Sequence, residues 1–501
     1  MSIKTKLISN ASYIFLDWVV SSILSFVFWL IIWKTLDPID WGIISTATNF
    51  VILLASFVTL GIPSAVFRII PHFINRKKSE YAYSLIKLSL KIVSVSIFIF
   101  AIALFFLSGS VSAFLKIPKD AFILTITSIA FISFSSFLGS VLYGFQEMKK
   151  FFVTDSLNFI IKTAGTAIFV VIGARYIGVL ASFSLGYLIT ALSRFRFRYI
   201  KANSSHAAYG ELFKYAFPAL ITGFSWSIVL YSQNIILTVL GSLSITGIFA
   251  IAFTLSNLLI IFSQVLTTAA FPIISGLSIN LKTKNKQAQI ISLIFRYTMF
   301  LTLPFAIVLL VFPEYAILLL SKQVSLPGAA YIPILVPASI LYSLGYILHT
   351  NLYAIGKPHL QRNIVIITTS IFLVLSILLT KIFSATGLSF AYLVSMIFLF
   401  AASFVYLRRS LKFIPLDSFK ILIASAAIIL SFLILKSFIH SLIPLIISLV
   451  PVGFLYLVLL ALLKFYREED VRILEIIGKK VPFLGQYILA ISKILSRIVK
   501  K

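Results

Sequence analysis

The chain has 501 residues, 60% of them hydrophobic and 11% charged, with 42 Lys and Arg against 14 Asp and Glu and a mean hydropathy of +1.09. A soluble chain holds about 45–50% apolar residues, so water is excluded as the main solvent. Cysteine is absent, which removes disulfides, thiolate metal ligands and cysteine nucleophiles together.

In hydrocarbon only helices and closed barrels satisfy every backbone amide, and a barrel strand alternates polar and apolar residues over about ten positions. The runs here, such as 92–107, 364–379 and 421–435, are apolar all round and approach the roughly 20 residues needed to cross about 30 Å of acyl chain. The expected fold is an all-α polytopic membrane protein. Breaks at charge clusters, Gly and Pro place about fourteen spans near 12–33, 42–67, 84–107, 121–144, 153–173, 177–198, 213–240, 245–274, 292–312, 329–353, 363–383, 386–407, 419–439 and 442–463. The first apolar stretch, Ala11 to Trp33, is too long for a signal peptide core and reads as a retained span.

Charge sets the orientation. With the N-terminus in the cytoplasm, 32 of the 42 Lys and Arg fall on that side and 7 on the other, and Lys87, Lys91 and Lys162 fall inside spans. The positive-inside rule then places both termini in the cytoplasm, in a multi-pass protein of the cytoplasmic membrane. Basic loops at an anionic leaflet account for the net charge of +28, and no basic soluble module is present, which argues against a nucleic-acid partner.

Catalytic and metal chemistry find no constellation. No Asp-x-Asp pair occurs, Asp37 and Asp40 flank Pro38 in a turn, and His72, His206, His349, His359 and His440 are scattered. No cofactor and no catalytic residue is expected. Polarity inside the spans is more informative, because a charge near mid-bilayer costs about 2.5–3.5 kcal/mol and faces a cavity or a partner. Lys162 lies about nine residues, roughly 14 Å, into span five. Asp155, Asn158 and Thr166 share one helix face with it. Asn257, Gln264 and Thr268 share a face of span eight, Asn49 lies in span two, Gln233 and Asn234 interrupt span seven, and Asp17 sits about a turn and a half inside span one. Such amides and hydroxyls also glue helices together; a water-filled central cavity explains the whole set. Lys87 and Lys91 can snorkel to head groups, and Pro333 and Pro337 bend span ten.

Trp33-Lys-Thr-Leu-Asp-Pro-Ile-Asp-Trp-Gly-Ile after span one and Leu60-Gly-Ile-Pro-Ser-Ala-Val-Phe-Arg68 closing span two resemble the polysaccharide-biosynthesis flippases of the multidrug/oligosaccharidyl-lipid/polysaccharide exporter (MOP) superfamily. Lys214-Tyr-Ala-Phe-Pro218, Gly247-Ile-Phe-Ala-Ile-Ala252 and Phe271-Pro-Ile-Ile-Ser275 resemble that family's second-half segments. The resemblance implies two six-helix lobes in a V, residues 1–205 and 206–411, then two helices over 412–466; to these the sequence adds an amphipathic cytoplasmic tail over 467–501. The parallel repeat is audible in Trp41-Gly42-Ile43 and Thr246-Gly247-Ile248. It also implies alternating access for a polyprenyl-(pyro)phosphate-linked oligosaccharide. In that scheme Lys162 and Arg68 meet the phosphate, and Asn49, Asn158, Gln233, Asn234, Asn257 and Gln264 bind sugar hydroxyls. Asp17 and Asp155 couple an ion or neutralise Lys162. Expected partners are the lipid-linked substrate, membrane lipids, a coupling cation and glycan-assembly enzymes. Many relatives carry Asp in span seven where this chain has Gln233-Asn234. A drug or metabolite antiporter, and a membrane glycan polymerase or ligase, are the alternatives.

Overall fold

A computed structural model describes residues 3–76, 78–201, 209–277, 283–411, 418–439, 441–472, 475 and 485–499. The helices in chain order are α1 (Ile3–Thr35), α2 (Pro38–Val58), α3 (Ile62–Asn75), α4 (Ser79–Phe106), α5 (Ser108–Phe114), α6 (Lys119–Gly144), α7 (Met148–Val171), α8 (Arg175–Arg194), α9 (Arg198–Lys201), α10 (Tyr209–Leu240), α11 (Leu243–Asn257), α12 (Ile261–Leu277), α13 (Lys284–Val311), α14 (Pro313–Leu320), α15 (Ile332–Ala354), α16 (Pro358–Leu411), α17 (Ser418–Lys436), α18 (Leu442–Leu462) and α19 (Gly485–Val499).

Among the described residues twelve helices are long and apolar enough to cross a membrane. One of them, α16, runs 54 residues but turns at Ser384, whose φ of 52° and ψ of −134° are not helical, so it makes two rods. A further rod, α7, has 24 residues and is less apolar because it carries the polar stripe. Together these give the fourteen rods read from the sequence.

Spans two and eight, read as continuous over 42–67 and 245–274, are each broken. Between α2 and α3 the chain passes through Leu60 and Gly61 at φ 53° and 69°, and a Cβ at Gly61 would overlap the Ala216 carbonyl of α10. That close approach requires glycine, and its left-handed backbone ends the first rod. In the second half a 3₁₀ turn over Leu258–Ile260 separates α11 from α12.

The first-lobe core runs from Val51 through Phe73, Leu85, Ile97, Ile129, Leu138 and Phe183. The second is built on Phe295, Leu335, Leu348, Phe372 and Leu399, and takes in Phe432 and Tyr456 of α17 and α18. These last two helices are fixed to α13. Phe300 stacks on Tyr456 and Phe465, and buried Asp470 accepts from Arg296 and Tyr297. The expected boundaries near 205 and 412, and the first residues of the tail helix at 481–484, lie outside the described residues.

The two halves of the repeat meet at their matching glycines. A Cβ at Gly42 would overlap the Leu243 carbonyl, and one at Gly247 would overlap the Pro38 carbonyl and stand 2.9 Å from the Gly42 nitrogen. Thr238 links the same crossing, its hydroxyl 2.7 Å from that of Thr46 and 2.9 Å from that of Thr246. This crossing lies on the face away from the N-terminus, where lysines also reach across the lobes. Lys34 at the end of α1 donates to the Leu318 and Ser321 carbonyls at 3.1 and 3.3 Å. Lys322 donates back to the Thr35 and Leu36 carbonyls at 3.1 and 2.9 Å, and Lys116 donates to the Gly241 carbonyl at 2.9 Å. Each ammonium satisfies carbonyls left open at a helix C-terminus and sits at the negative end of its dipole.

Candidate functional site

The polar stripe of α7 lies where that helix packs between α1 and α8 of the first lobe. Gly186 of α8 makes this possible, because a Cβ there would stand 3.0 Å from the Asn158 carbonyl oxygen and 3.5 Å from the Lys162 Cβ. Lys162 is 5% exposed, and its Nζ lies 4.1, 5.1 and 5.5 Å from the ring centroids of Phe159, Phe28 and Phe183. The faces of three aromatic rings offset part of the desolvation cost of this ammonium.

Asp155, a candidate for neutralising Lys162 or coupling an ion, lies in the field of Lys162 and bonds Arg194, at 2.9 Å from Nη2. The Arg194 Nε donates to the Thr154 hydroxyl at 2.9 Å, and Nη1 donates to the Ser135 carbonyl at 3.0 Å and its hydroxyl at 3.2 Å. The guanidinium lies 4.6 Å from the Phe151 ring and fits because Gly139 has no side chain beneath it. Asp17 is 8% exposed, and its Oδ1 has no hydrogen-bond partner. It shares the local field of Asp155 and Arg194. Buried Asn158 likewise has an unpartnered Oδ1.

A cavity of about 540 Å³ opens beside this cluster, lined by Pro63, Ser64, Phe67, Ser135, Ser136, Gly139, Ser140, Tyr143, Tyr187, Asp155 and Arg194 among others. Its walls come from α3 and from the halves of α6, α7 and α8 toward the N-terminal face. Volume, hydroxyls and an ion pair suit it to a polar guest, and the pair can open, freeing a cation for an anion and a carboxylate for a proton or metal ion.

The other expected residues fall in three further places. Gln233 and Asn234 are buried near the lobe crossing, with Oε1 and Oδ1 unpartnered, and Asn49 lies one turn inward from Thr46. Asn257 accepts from the Ser339 hydroxyl at 3.3 Å, and Gln264 is half-buried on α12. Arg68 stands alone near the N-terminal face, 4.4 Å over the Tyr215 ring of the opposite lobe. Sequence reasoning missed Arg194 and Arg296, which it counted among loop charges. Both are buried and paired.

Comparison with known proteins agrees with this architecture. Residues 7–278 match the polysaccharide biosynthesis protein family. An uncharacterized membrane protein of Methanocaldococcus jannaschii is 23% identical over 427 residues, 79% of this chain and 84% of its own. The lipid II flippase MurJ in an inward closed conformation superposes with a TM-score of 0.70 at 17% identity, covering 91% of this chain and 98% of that one. An inward-facing multidrug MATE transporter of the MOP superfamily gives 0.63 at 14% identity, over 78% and 94%. The chain belongs to the polysaccharide biosynthesis protein family and has the fold of the MOP-superfamily flippases and transporters.

Proposed function

We propose that the protein flips a polyprenyl-(pyro)phosphate-linked oligosaccharide across the cytoplasmic membrane by alternating access, serving surface-polysaccharide or glycoprotein assembly, with both termini cytoplasmic. One observation carries this reading. The lobes are bonded together on one face by a glycine crossing and three lysines, whereas a charged pocket opens among the helix ends of the other face. That is the geometry of a carrier waiting to load. The physical task is to move sugar and phosphate through a region where they lack water, while the polyprenyl tail never leaves hydrocarbon.

The anionic head meets Arg194 at the pocket, with Lys162 adding positive field one layer deeper and Arg68 near the mouth. Asn158, and on the later path Asn49, Gln233, Asn234, Asn257 and Gln264, receive sugar hydroxyls. Asp17, Asp155, Arg194 and Lys162 sum to no net charge before loading. An incoming phosphate therefore displaces Asp155 from Arg194 and leaves two carboxylates to take up a proton or cation. Asp17, unpartnered already, is the first to do so. This supplies the coupling step.

The test is translocation of a fluorescent polyprenyl-pyrophosphate oligosaccharide in liposomes containing the purified protein. Protein-dependent flipping is expected to fall at least tenfold in Arg194→Ala and to lose its dependence on an ion gradient in Asp17→Asn. The unpartnered Asp17 also suits a drug antiporter. Gradient-driven export of cationic drugs without lipid flipping would replace the first reading with that one.

A further inference from the structure

The two lobes carry the same turn at matching places. In the first lobe Gln146 and Glu147 donate from their amides to the Tyr143 and Leu142 carbonyls, with Gln146 at φ 60°. In the second, Gly356 and Lys357 donate to those of Tyr353 and Leu352, with Gly356 at φ 82°. Tyr143 therefore corresponds to Tyr353, a spacing of 210 residues. On that spacing the α6 floor of the first-lobe pocket, Ser136, Gly139, Ser140 and Tyr143, corresponds to Tyr346, His349, Thr350 and Tyr353 of α15. What is an open, hydroxyl-lined hollow in one lobe is a wall of rings in the other.

The rings pack in two neighbouring groups. Trp226 of α10 lies 5.4 Å from His349 and 5.3 Å from Tyr342, Tyr346 lies 5.4 Å from His349, and Phe271 of α12 stacks on Tyr353 at 5.9 Å. From Tyr342 to Ala354 every residue of α15 is buried except Tyr346, Thr350 and Tyr353. Their i, i+4, i+7 spacing is one open face of an otherwise enclosed helix. Trp226 is half-buried beside it, and Thr268 is exposed next to the Tyr346 hydroxyl. The flanking helices α10 and α12 both touch the first lobe, α10 against α2 and α3 and α12 against α1, so this face borders the space between lobes. It differs from the lipid-facing surface, which on α18 shows Ile443, Ile446, Ile447, Val450 and Phe454.

We infer that Trp226, Tyr346 and Tyr353, backed by His349, form a platform on which a pyranose ring of the oligosaccharide stacks. This rests on the flippase reading and assigns the stacking of a sugar ring, as distinct from the binding of the phosphate, to the second lobe. A pyranose has C–H faces and a hydroxyl rim. The electron-rich ring faces attract the C–H hydrogens, and Thr268 and Thr350, both bonded to the Tyr346 hydroxyl, offer the rim donors and acceptors.

Binding of two probes to the purified protein tests it: a polyprenyl pyrophosphate carrying a disaccharide, and the same lipid without sugar. The wild-type protein is expected to bind the glycosylated probe more tightly. Trp226→Ala and Tyr346→Ala weaken that binding about tenfold and leave the sugar-free probe unchanged, while Trp226→Phe keeps most of the affinity. Equal losses for both probes, or unchanged affinity for the glycosylated one, overturn the platform and leave the flippase reading standing. A wild-type protein that binds neither probe overturns both.

Discussion

Replacing Lys34, Lys116 and Lys322 together by Met should open the face away from the N-terminus. Their ammonium groups make five bonds to carbonyls of the opposite lobe, between 2.9 and 3.3 Å. An exposed cation at a helix C-terminus contributes about 0.3–1 kcal/mol. Three such caps hold the closed state by about 1–3 kcal/mol, and losing them shifts the open-to-closed ratio by about 5- to 150-fold. Methionine keeps the length of each stem and removes only the charge and the donors. Because the chain has no cysteine, a spin-label pair can be placed cleanly at Ile39→Cys and Val324→Cys, which lie on opposite lobes at that face and are 54% and 50% exposed. Pulsed electron resonance in liposomes should show a longer-distance population growing in the triple variant. Lys381→Met, at an exposed position, is the control. An unchanged distribution, or the same change in the control, would refute the latch.

Three other predictions are independent of it. Gly247→Val forces a side chain into the Pro38 carbonyl, so it should separate the same label pair more than Gly109→Val, whose surroundings are empty. Arg194→Ala strands Asp155 and the polar groups of Thr154 and Ser135. It should lower thermal unfolding stability in detergent by about 3 kcal/mol, with Arg194→Lys recovering part of it. Asp470→Asn weakens the bonds to Arg296 and Tyr297; limited proteolysis should then release the segment after α18 faster while the lobes stay intact.

The number of rods was legible because apolar length in a membrane has few solutions. The breaks in spans two and eight were not, since an apolar run says nothing of a left-handed backbone at Leu60 and Gly61, and what forces it is the Ala216 carbonyl 155 residues away in sequence. The stripe of α7 was visible by its period, but period fixes which residues share a face and not what the face meets. Gly186 and Gly139 decided that, by letting α8 and Arg194 settle against the stripe. Arg194 itself was hidden by position, because an arginine at the last turn of a span reads as a loop charge until its partner 39 residues back is in view.

Under the proposed flippase function, the distribution of charge between the lobes has a mechanistic reason. On the spacing set by the matching turns, Asp155, Asn158 and Lys162 correspond to Val365, Thr368 and Phe372, and Phe372 is wholly buried in the second core. A carrier with a charged site in each lobe would have to break strong pairs on both sides to move its cargo. In the proposed cycle, with Asp155, Arg194 and Lys162 all in the first lobe, the anion is held on one side and released by a change in the protonation or cation occupancy of that side alone. The opposite wall needs only sequence-tolerant ring contacts, each weak enough to be exchanged as the lobes rock. An asymmetric pair of walls thus separates the strong contact, which sets coupling, from the weak ones, which let a sugar chain slide.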